Sequence, residues 1–274
     1  MRRPLIAGNW KMYKTVKEAT EFVAAFAGKV AGAGNVEVAL CPPFTALAAV
    51  AQALRGTAIG LGAQDCFWAE QGAFTGQVAP PMLAEAGCRY VIVGHSERRG
   101  RFGSTKGITE NMLRLFGDND ETVNLKAKAV LKGGMTPIVC CGEMLAERHS
   151  GRTDAVVSSQ VRAALAGIER EQVAGLVIAY EPVWAIGTGE VCDAEEANRV
   201  IGLIRRTVAS AAEPSAAEGV RIQYGGSVKP DNIQGIMEQP EIDGALVGGA
   251  SLDPAAFETI VKVSAAVRGG GGKA

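Results

Sequence analysis

The sequence predicts a single α/β domain, a closed (β/α)8 barrel, and three observations lead there. Short runs rich in Val, Ile, Leu and Ala recur at 4–9, 36–41, 58–63, 89–94, 136–140, 175–180, 220–224 and 243–247. Most are apolar almost throughout, the pattern of parallel strands covered on both faces. Longer amphipathic segments lie between them, and eight strand–helix alternations in about 250 residues favour a closed parallel barrel. An open doubly wound sheet is the alternative. It usually carries a glycine-rich nucleotide turn after its first strand. Here that strand ends in Gly8-Asn9-Trp10-Lys11, and neither G-x-G-x-x-G nor G-x-x-x-x-G-K-S/T occurs.

The connecting segments read as helices in turn. Thr15 to Val30 carries Ala19, Phe22, Val23 and Phe26 at helical spacing. Asp193 to Ala211 opens on a capping aspartate and an acidic first turn, followed by Val200, Leu203 and Ile204. Asp253 before Pro254 starts the last helix with a cap and a proline at the first position. No linker divides the chain. The barrel is assigned to 1–268, and the glycine-rich end, 269–274, to a flexible tail.

Composition narrows the function. At 274 residues the chain can bury a substantial core, and an apolar fraction of 47% argues against disorder. The net charge of −1 offers no basic surplus for nucleic acid. A small anionic substrate would then be held by a few placed groups and backbone amides. Cys41, Cys66, Cys88, Cys140, Cys141 and Cys192 follow no disulfide or zinc template and read as reduced thiols of a cytoplasmic protein. The apolar start is broken at Asn9 and Lys11, too short for a signal peptide or a membrane span.

Polar residues collect just past the strand ends, where barrel enzymes build their sites. Asn9 and Lys11 follow the first strand. His95, Ser96 and Glu97 follow the fourth, and Glu181 follows the sixth. Gly225, Gly226 and Ser227 follow the seventh, and Gly248 and Gly249 the eighth. Singly, each has a structural explanation: a solvated lysine, a hydrogen-bonded histidine, a glutamate paired with an arginine. Their coincidence on one rim carries the functional reading. Ser96 lacks the second glycine of a nucleophile elbow and is not read as a nucleophile. His149 sits in a polar stretch and reads as surface. Two histidines without a matching acidic or cysteine pattern predict no catalytic metal.

The strings Ala7-Gly8-Asn9-Trp10-Lys11-Met12, Gly62-Ala63-Gln64-Asp65, Gly72-Ala73-Phe74-Thr75-Gly76 and Val93-Gly94-His95-Ser96-Glu97-Arg98-Arg99 occur in that order. Ala179-Tyr180-Glu181-Pro182-Val183-Trp184-Ala185-Ile186-Gly187-Thr188-Gly189, Tyr224-Gly225-Gly226-Ser227-Val228 and Gly248-Gly249-Ala250-Ser251 complete the series. In these strings the chain closely resembles the triosephosphate isomerase family, over roughly residues 4 to 267. The resemblance implies interconversion of dihydroxyacetone phosphate and D-glyceraldehyde 3-phosphate, in glycolysis and gluconeogenesis, without a cofactor. It implies Lys11, His95 and Glu181 as catalytic residues, Glu97 as the acidic partner near the lysine, and Asn9 as an organiser of the site. Gly187, Ser227, Gly248 and Gly249 match the family's phosphate-binding positions. Pro182, Val183, Trp184, Ala185, Ile186, Gly187 and Thr188 resemble its closing lid, which meets 224–227. Phe74-Thr75-Gly76 is similar to a loop that crosses into a neighbour near Met12, implying a homodimer or a larger homo-oligomer.

That reaction passes through an enediolate and needs a base, an electrophile and protection of the intermediate. Pro182 biases Glu181 toward extended geometry, and an apolar lid would raise its basicity by desolvation. The segment from Ser96 is expected to open a helix whose positive end disfavours imidazolium, leaving a neutral His95 to polarise the carbonyl. Lys11 adds a preorganised charge. Glycines let a phosphate approach the main chain.

The chain departs from the family pattern after Arg99. A Phe-Gly pair stands at Phe102-Gly103-Ser104-Thr105 and again at Phe116-Gly117-Asp118-Asn119. The second keeps a carboxylate, Asp118, where the family has glutamate, which places an insertion at about 100–115. Ile108, Met112, Leu113, Leu115 and Phe116 have partly helical spacing, ended by Gly117. A helix over the rim, a role in assembly, and contact with substrate or an effector all remain open for it. Glu190 stands where lysine is common, at the far end of the lid. Two rivals are kept. One is a Schiff-base aldolase, which needs a lysine desolvated within a strand. The other is an inactive or scaffold barrel that retains phosphate binding.

Overall fold

The computed structural model describes residues 2–104, 107–113 and 115–269. Eight parallel strands close into a barrel in chain order: β1 Leu5–Asn9, β2 Glu37–Cys41, β3 Gly60–Ala63, β4 Cys88–Val93, β5 Thr136–Cys141, β6 Val177–Tyr180, β7 Arg221–Tyr224 and β8 Gly244–Val247. Each falls within a residue or two of its expected run. Closure is made by β1, which pairs with β2 from Leu5 opposite Glu37 and with β8 from Leu5 opposite Gly244.

The period-two alternation of a strand divides the core into two layers. Leu5, Ala7, Ala39, Tyr90, Ile92, Ile138, Cys140, Val177, Ala179 and Leu246 fill the barrel interior. Ile6, Leu40, Val91, Val139, Ile178, Ile222 and Val247 face outward and pack under the helices. Because both faces are buried, most strands are apolar almost throughout, which is the pattern visible in the sequence. Gln223 turns inward and donates from Nε2 to the carbonyls of Leu5 (2.9 Å) and Ala245 (3.3 Å).

The helix starts follow the capping residues. Glu18 N–H donates to Thr15 Oγ1 at 3.4 Å and Thr15 N–H to Glu18 Oε2 at 2.7 Å, a capping box that opens Val16–Phe26. The expected run to Val30 continues as a 3-10 turn, Ala27–Val30. Asp193 accepts from Glu196 N at 2.7 Å at the head of Ala194–Ala211. Asp253 accepts from Ala255 and Ala256 N, both at 2.8 Å, before Pro254–Gly269. That last helix runs to Gly269, one residue into the expected tail; 270–274 lie outside the described residues.

After β4, Arg98 N and Arg99 N donate to the His95 carbonyl at 2.8 and 3.1 Å and make a single turn. The helix expected from Ser96 does not form, because Gly100 (φ 67°) turns the chain away into the 100–115 segment. Within that segment the described residues contain one short helix, Glu110–Leu113. The chain returns at Asp118, whose N–H donates to the Arg98 carbonyl at 3.1 Å. The Asp118 carboxylate takes buried Lys126 at 2.6 Å, Lys126 reaches Asp65 at 2.7 Å, and Arg98 meets Asp65 at 2.9 Å.

Candidate active site

Strand register decides which residues reach the barrel mouth. Leu5 and Ala7 point inward, so Asn9 and then Lys11 continue that step past the end of β1. Val177 and Ala179 do the same for Glu181, and Leu246 for Gly248. Residues far apart in sequence thus arrive at one rim.

At the centre, His95 Nε2 lies 2.9 Å from Glu181 Oε1. Glu97 N–H donates to His95 Nδ1 at 3.2 Å. Since Nδ1 accepts, the ring proton sits on Nε2, and a neutral imidazole satisfies both contacts. The single turn after His95 is enough to aim these amides. Ser96 N–H donates to Glu181 Oε2 at 2.9 Å, and Ser96 Oγ–H to Oε1 at 3.3 Å. Glu181 is 1% exposed. Burial alone would push its carboxyl up. The adjoining His95, the Ser96 amide and the charge of Lys11 outweigh burial and hold it below the ordinary carboxylate value.

Lys11 adopts a left-handed backbone, φ 50°, rare for a residue with a β-carbon and costing about 1–2 kcal/mol. Two hydrogen bonds hold it there. Its N–H donates to Asn9 Oδ1 at 3.1 Å, and its carbonyl accepts from Gln64 Nε2 at 2.9 Å. Gln64 also donates to the Cys41 carbonyl at 2.9 Å, tying the ends of β1 and β2 together. The Lys11 ammonium then meets Glu97 Oε1 at 2.6 Å.

A cleft of about 310 Å³ opens beside these groups, lined by Asn9, Lys11, His95, Gly187, Gly226, Ser227, Gly248 and Gly249. Glu181 is not part of its wall. Main chain dominates the far end of the cleft. A Cβ on Gly226 would overlap the Tyr224 hydroxyl and come within 3.0 Å of Pro182 Cγ, so only glycine lets 224–227 lie against the segment after Glu181. A 3-10 turn, Gly249–Leu252, begins at the cleft, and the first N–H groups of such a turn have no partner within it.

The stretch after Glu181 is anchored below and turns on two glycines at its far end. Trp184 Nε1–H donates to Glu143 Oε1 at 2.8 Å, and the Tyr180 hydroxyl lies 3.2 Å from both Glu143 oxygens. Burial pushes the Glu143 carboxyl up despite these donors. The Arg148 guanidinium lies 4.4 Å from the Trp184 ring centroid. Gly187 (φ 69°) and Gly189 (φ 91°) occupy left-handed backbone that glycine adopts without strain.

The family model described as triosephosphate isomerase matches residues 4–264. The triosephosphate isomerase of Symbiobacterium thermophilum is 54% identical over 268 residues, covering 98% of this chain and 99% of that protein. Those of Moorella thermoacetica and Chloroflexus aurantiacus are 52% and 51% identical, each over 261 residues and 95% of this chain, covering 98% and 99% of their own lengths. The chain belongs to the triosephosphate isomerase family. It is a (β/α)8-barrel isomerase.

Every site residue expected from the triosephosphate isomerase resemblance is described. Asn9, Lys11, His95, Gly187, Ser227, Gly248 and Gly249 line the cleft, Glu97 pairs with Lys11, and Glu181 lies behind the wall against His95. Three contributors were missed. From sequence, Ser96 is rejected as a nucleophile and placed at a helix start; in the structure its amide and hydroxyl hold Glu181. Gln64 stood in a quoted string without a role. Glu143 follows β5, so the strand-end rule that found the others would have found it. Among the described residues no three His, Cys, Asp or Glu side chains converge as metal ligands, and no helix is long and apolar enough to cross a membrane. All six cysteines are free and buried.

Proposed function

We propose that this chain interconverts dihydroxyacetone phosphate and D-glyceraldehyde 3-phosphate, with Glu181 as the base, His95 as the electrophile and Lys11 as the fixed positive charge. The observation that carries the reading is the 2.9 Å contact of His95 Nε2 with a buried Glu181 carboxylate beside a cleft that also holds Lys11. Glu181 takes a proton from one substrate carbon and returns it to the neighbouring one. His95 donates from Nε2 to the developing oxyanion and passes a proton between the two oxygens, while Lys11 stabilises the same charge. Phosphate is held at the far end by Gly187, Ser227, Gly248 and Gly249, mainly through backbone N–H groups.

At rest Glu181 is a weakened base, held by Ser96 and His95 away from the cleft. Pro182 to Thr188 act as the lid. Lid closure turns the carboxylate from Ser96 toward the substrate and replaces those donors by apolar surroundings, which raises its basicity. Remote phosphate binding offsets the cost of this rearrangement. A coupled assay with glyceraldehyde 3-phosphate tests the activity: rapid turnover supports it, and saturable binding of substrate without turnover would favour the scaffold reading. The lid also protects the enediolate from losing phosphate. Gly187→Val, which places a branched side chain at φ 69°, is expected to raise methylglyoxal formed per turnover several-fold. Unchanged partitioning would remove that role from the lid.

The same reading gives a cytoplasmic homodimer, or a larger homo-oligomer, serving glycolysis and gluconeogenesis. Support for assembly lies in an apolar face where Met12 is 94% exposed and Phe74 47%. Phe67 stacks on Trp68 and meets Phe74 at 4.4 Å between ring centroids, stiffening the projecting loop. A groove of about 340 Å³ lined by Met12, Phe44, Gln64, Glu97 and Phe116 can receive that loop from a second copy. Phe74→Asp is expected to halve the mass measured in solution and to lower activity, since the groove borders Lys11. The domain assignment stays one barrel with an insertion at about 100–115.

A further inference from the structure

The start of the inserted segment touches the lid. A Cβ on Gly103 would overlap the carbonyl oxygens of Val183 and Ile186 and come within 2.8 Å of Thr188 Cγ2. Gly103 is not in left-handed backbone, so this close approach of main chains, not its own conformation, is what glycine provides there. One residue earlier, Phe102 meets Phe116 edge-on, ring centroids 5.2 Å apart. Two residues before Gly103, Arg101 Nη2 donates to the Gly142 carbonyl at 3.2 Å and pairs with Glu147. Glu147 in turn accepts from Met144 N at 2.7 Å, and Glu143, between Gly142 and Met144, holds Trp184 of the lid. The strap is therefore fastened to the same loop that anchors the lid from below.

We infer that Gly100–Ser104 is a seat for the lid, with Gly103 and Arg101 as positioning residues for the isomerisation. This rests on the lid role proposed for Pro182–Thr188. Gly103 supports the lid backbone at Val183 and Ile186, Gly226 lies against Pro182, and Arg101 fixes the seat relative to the Glu143 loop. The lid rests and closes from a defined position because it is held at both places. A lid displaced by the width of a methyl group closes out of register with Glu181 and the phosphate end.

The test is Gly103→Ala, read in two ways. In protein labelled with 5-fluorotryptophan, the Trp184 resonance, assigned by substitution, is expected to shift while those of Trp10 and Trp68 stay. In steady state, kcat is expected to fall about tenfold with a raised methylglyoxal fraction and a thermal midpoint near the wild-type value. Arg101→Ala should show the same direction, and Arg101→Lys, which keeps the charge toward Glu147, should recover part of kcat. An unmoved Trp184 resonance overturns the seat whether or not the enzyme turns over. So do unchanged kcat and partitioning in an active enzyme, because a covering strap would yield instead of the lid. Failure of the isomerase reading is separate: it shows as absent wild-type turnover, with the Trp184 resonance still reporting on the seat.

Discussion

Glu181→Asp is expected to lower kcat by about 100-fold or more, a loss of at least about 2.7 kcal/mol of transition-state stabilisation. The shorter side chain withdraws the carboxylate by about one bond from wherever the longer one reaches. Nothing else need change, because the backbone at this position is pinned. Glu181 N–H donates to the Cys141 carbonyl at 2.7 Å, and Gly225 N–H to the Tyr180 carbonyl at 2.7 Å. The backbone thus cannot follow the side chain to restore reach. The split between constants is informative. In the proposed mechanism substrate binds chiefly through Lys11, His95 and the phosphate end, so KM is expected to stay within a few-fold while kcat carries the loss. Steady-state kinetics in both directions check it. A fall confined to KM would place Glu181 in binding and remove it from proton transfer.

Lys11→Met is the second large effect. The lysine is part of the cleft wall, and in the proposed mechanism its charge acts where the oxyanion develops. Loss of one such preorganised donor costs about 10²–10³ in rate. Substrate affinity is expected to fall as well, since Lys11 is a cation lining the cleft that takes the anionic substrate. Met keeps the length and apolar stem but leaves Glu97 without its partner at 2.6 Å. Glu97 then adds negative charge next to an anionic substrate. kcat/KM is expected to drop by more than the oxyanion effect alone, with KM raised, unlike Glu181→Asp. A KM unchanged from wild type would show that Lys11 takes no part in binding. The strained φ of Lys11 gives a companion observation. Gln64 holds the Lys11 carbonyl from outside the cleft, so loss of Gln64 should relax the loop and lower activity without removing a cleft-lining group.

The barrel was legible in the sequence because most strands are buried on both faces, which leaves near-continuous apolar runs, and because the residues with catalytic chemistry collect past one end of them. Asp193 and Asp253 marked helix starts for the same local reason, side-chain oxygens that accept free amides. The side-chain geometry at the centre was not legible. Whether Glu181 points into the cleft or back to Ser96 is a rotamer choice settled by two hydrogen bonds between β4 and β6, and no spacing rule records it. The turn after His95 was read as a helix because Ser96-Glu97-Arg98 looks like a helix start. Gly100 and the inserted residues then carry the chain elsewhere, a non-local effect. The insertion itself was readable as extra sequence, but its contacts were not. Gly103 reads as a plain loop glycine until Val183 and Ile186 are seen against it.

In the proposed mechanism Glu181 moves a proton between adjacent carbons through an enediolate. Isomerisation of D-glyceraldehyde 3-phosphate in D2O, followed by proton NMR, tests this most directly. A carboxylic acid formed by abstraction can exchange with solvent before it delivers its hydrogen. Fast turnover with deuterium at C1 of part of the dihydroxyacetone phosphate is therefore expected, slowed by about 100-fold or more in Glu181→Asp. Fast turnover with no solvent deuterium in the product would mean direct hydrogen migration between the carbons, and no turnover at all would mean that the assembled rim is not an isomerase site.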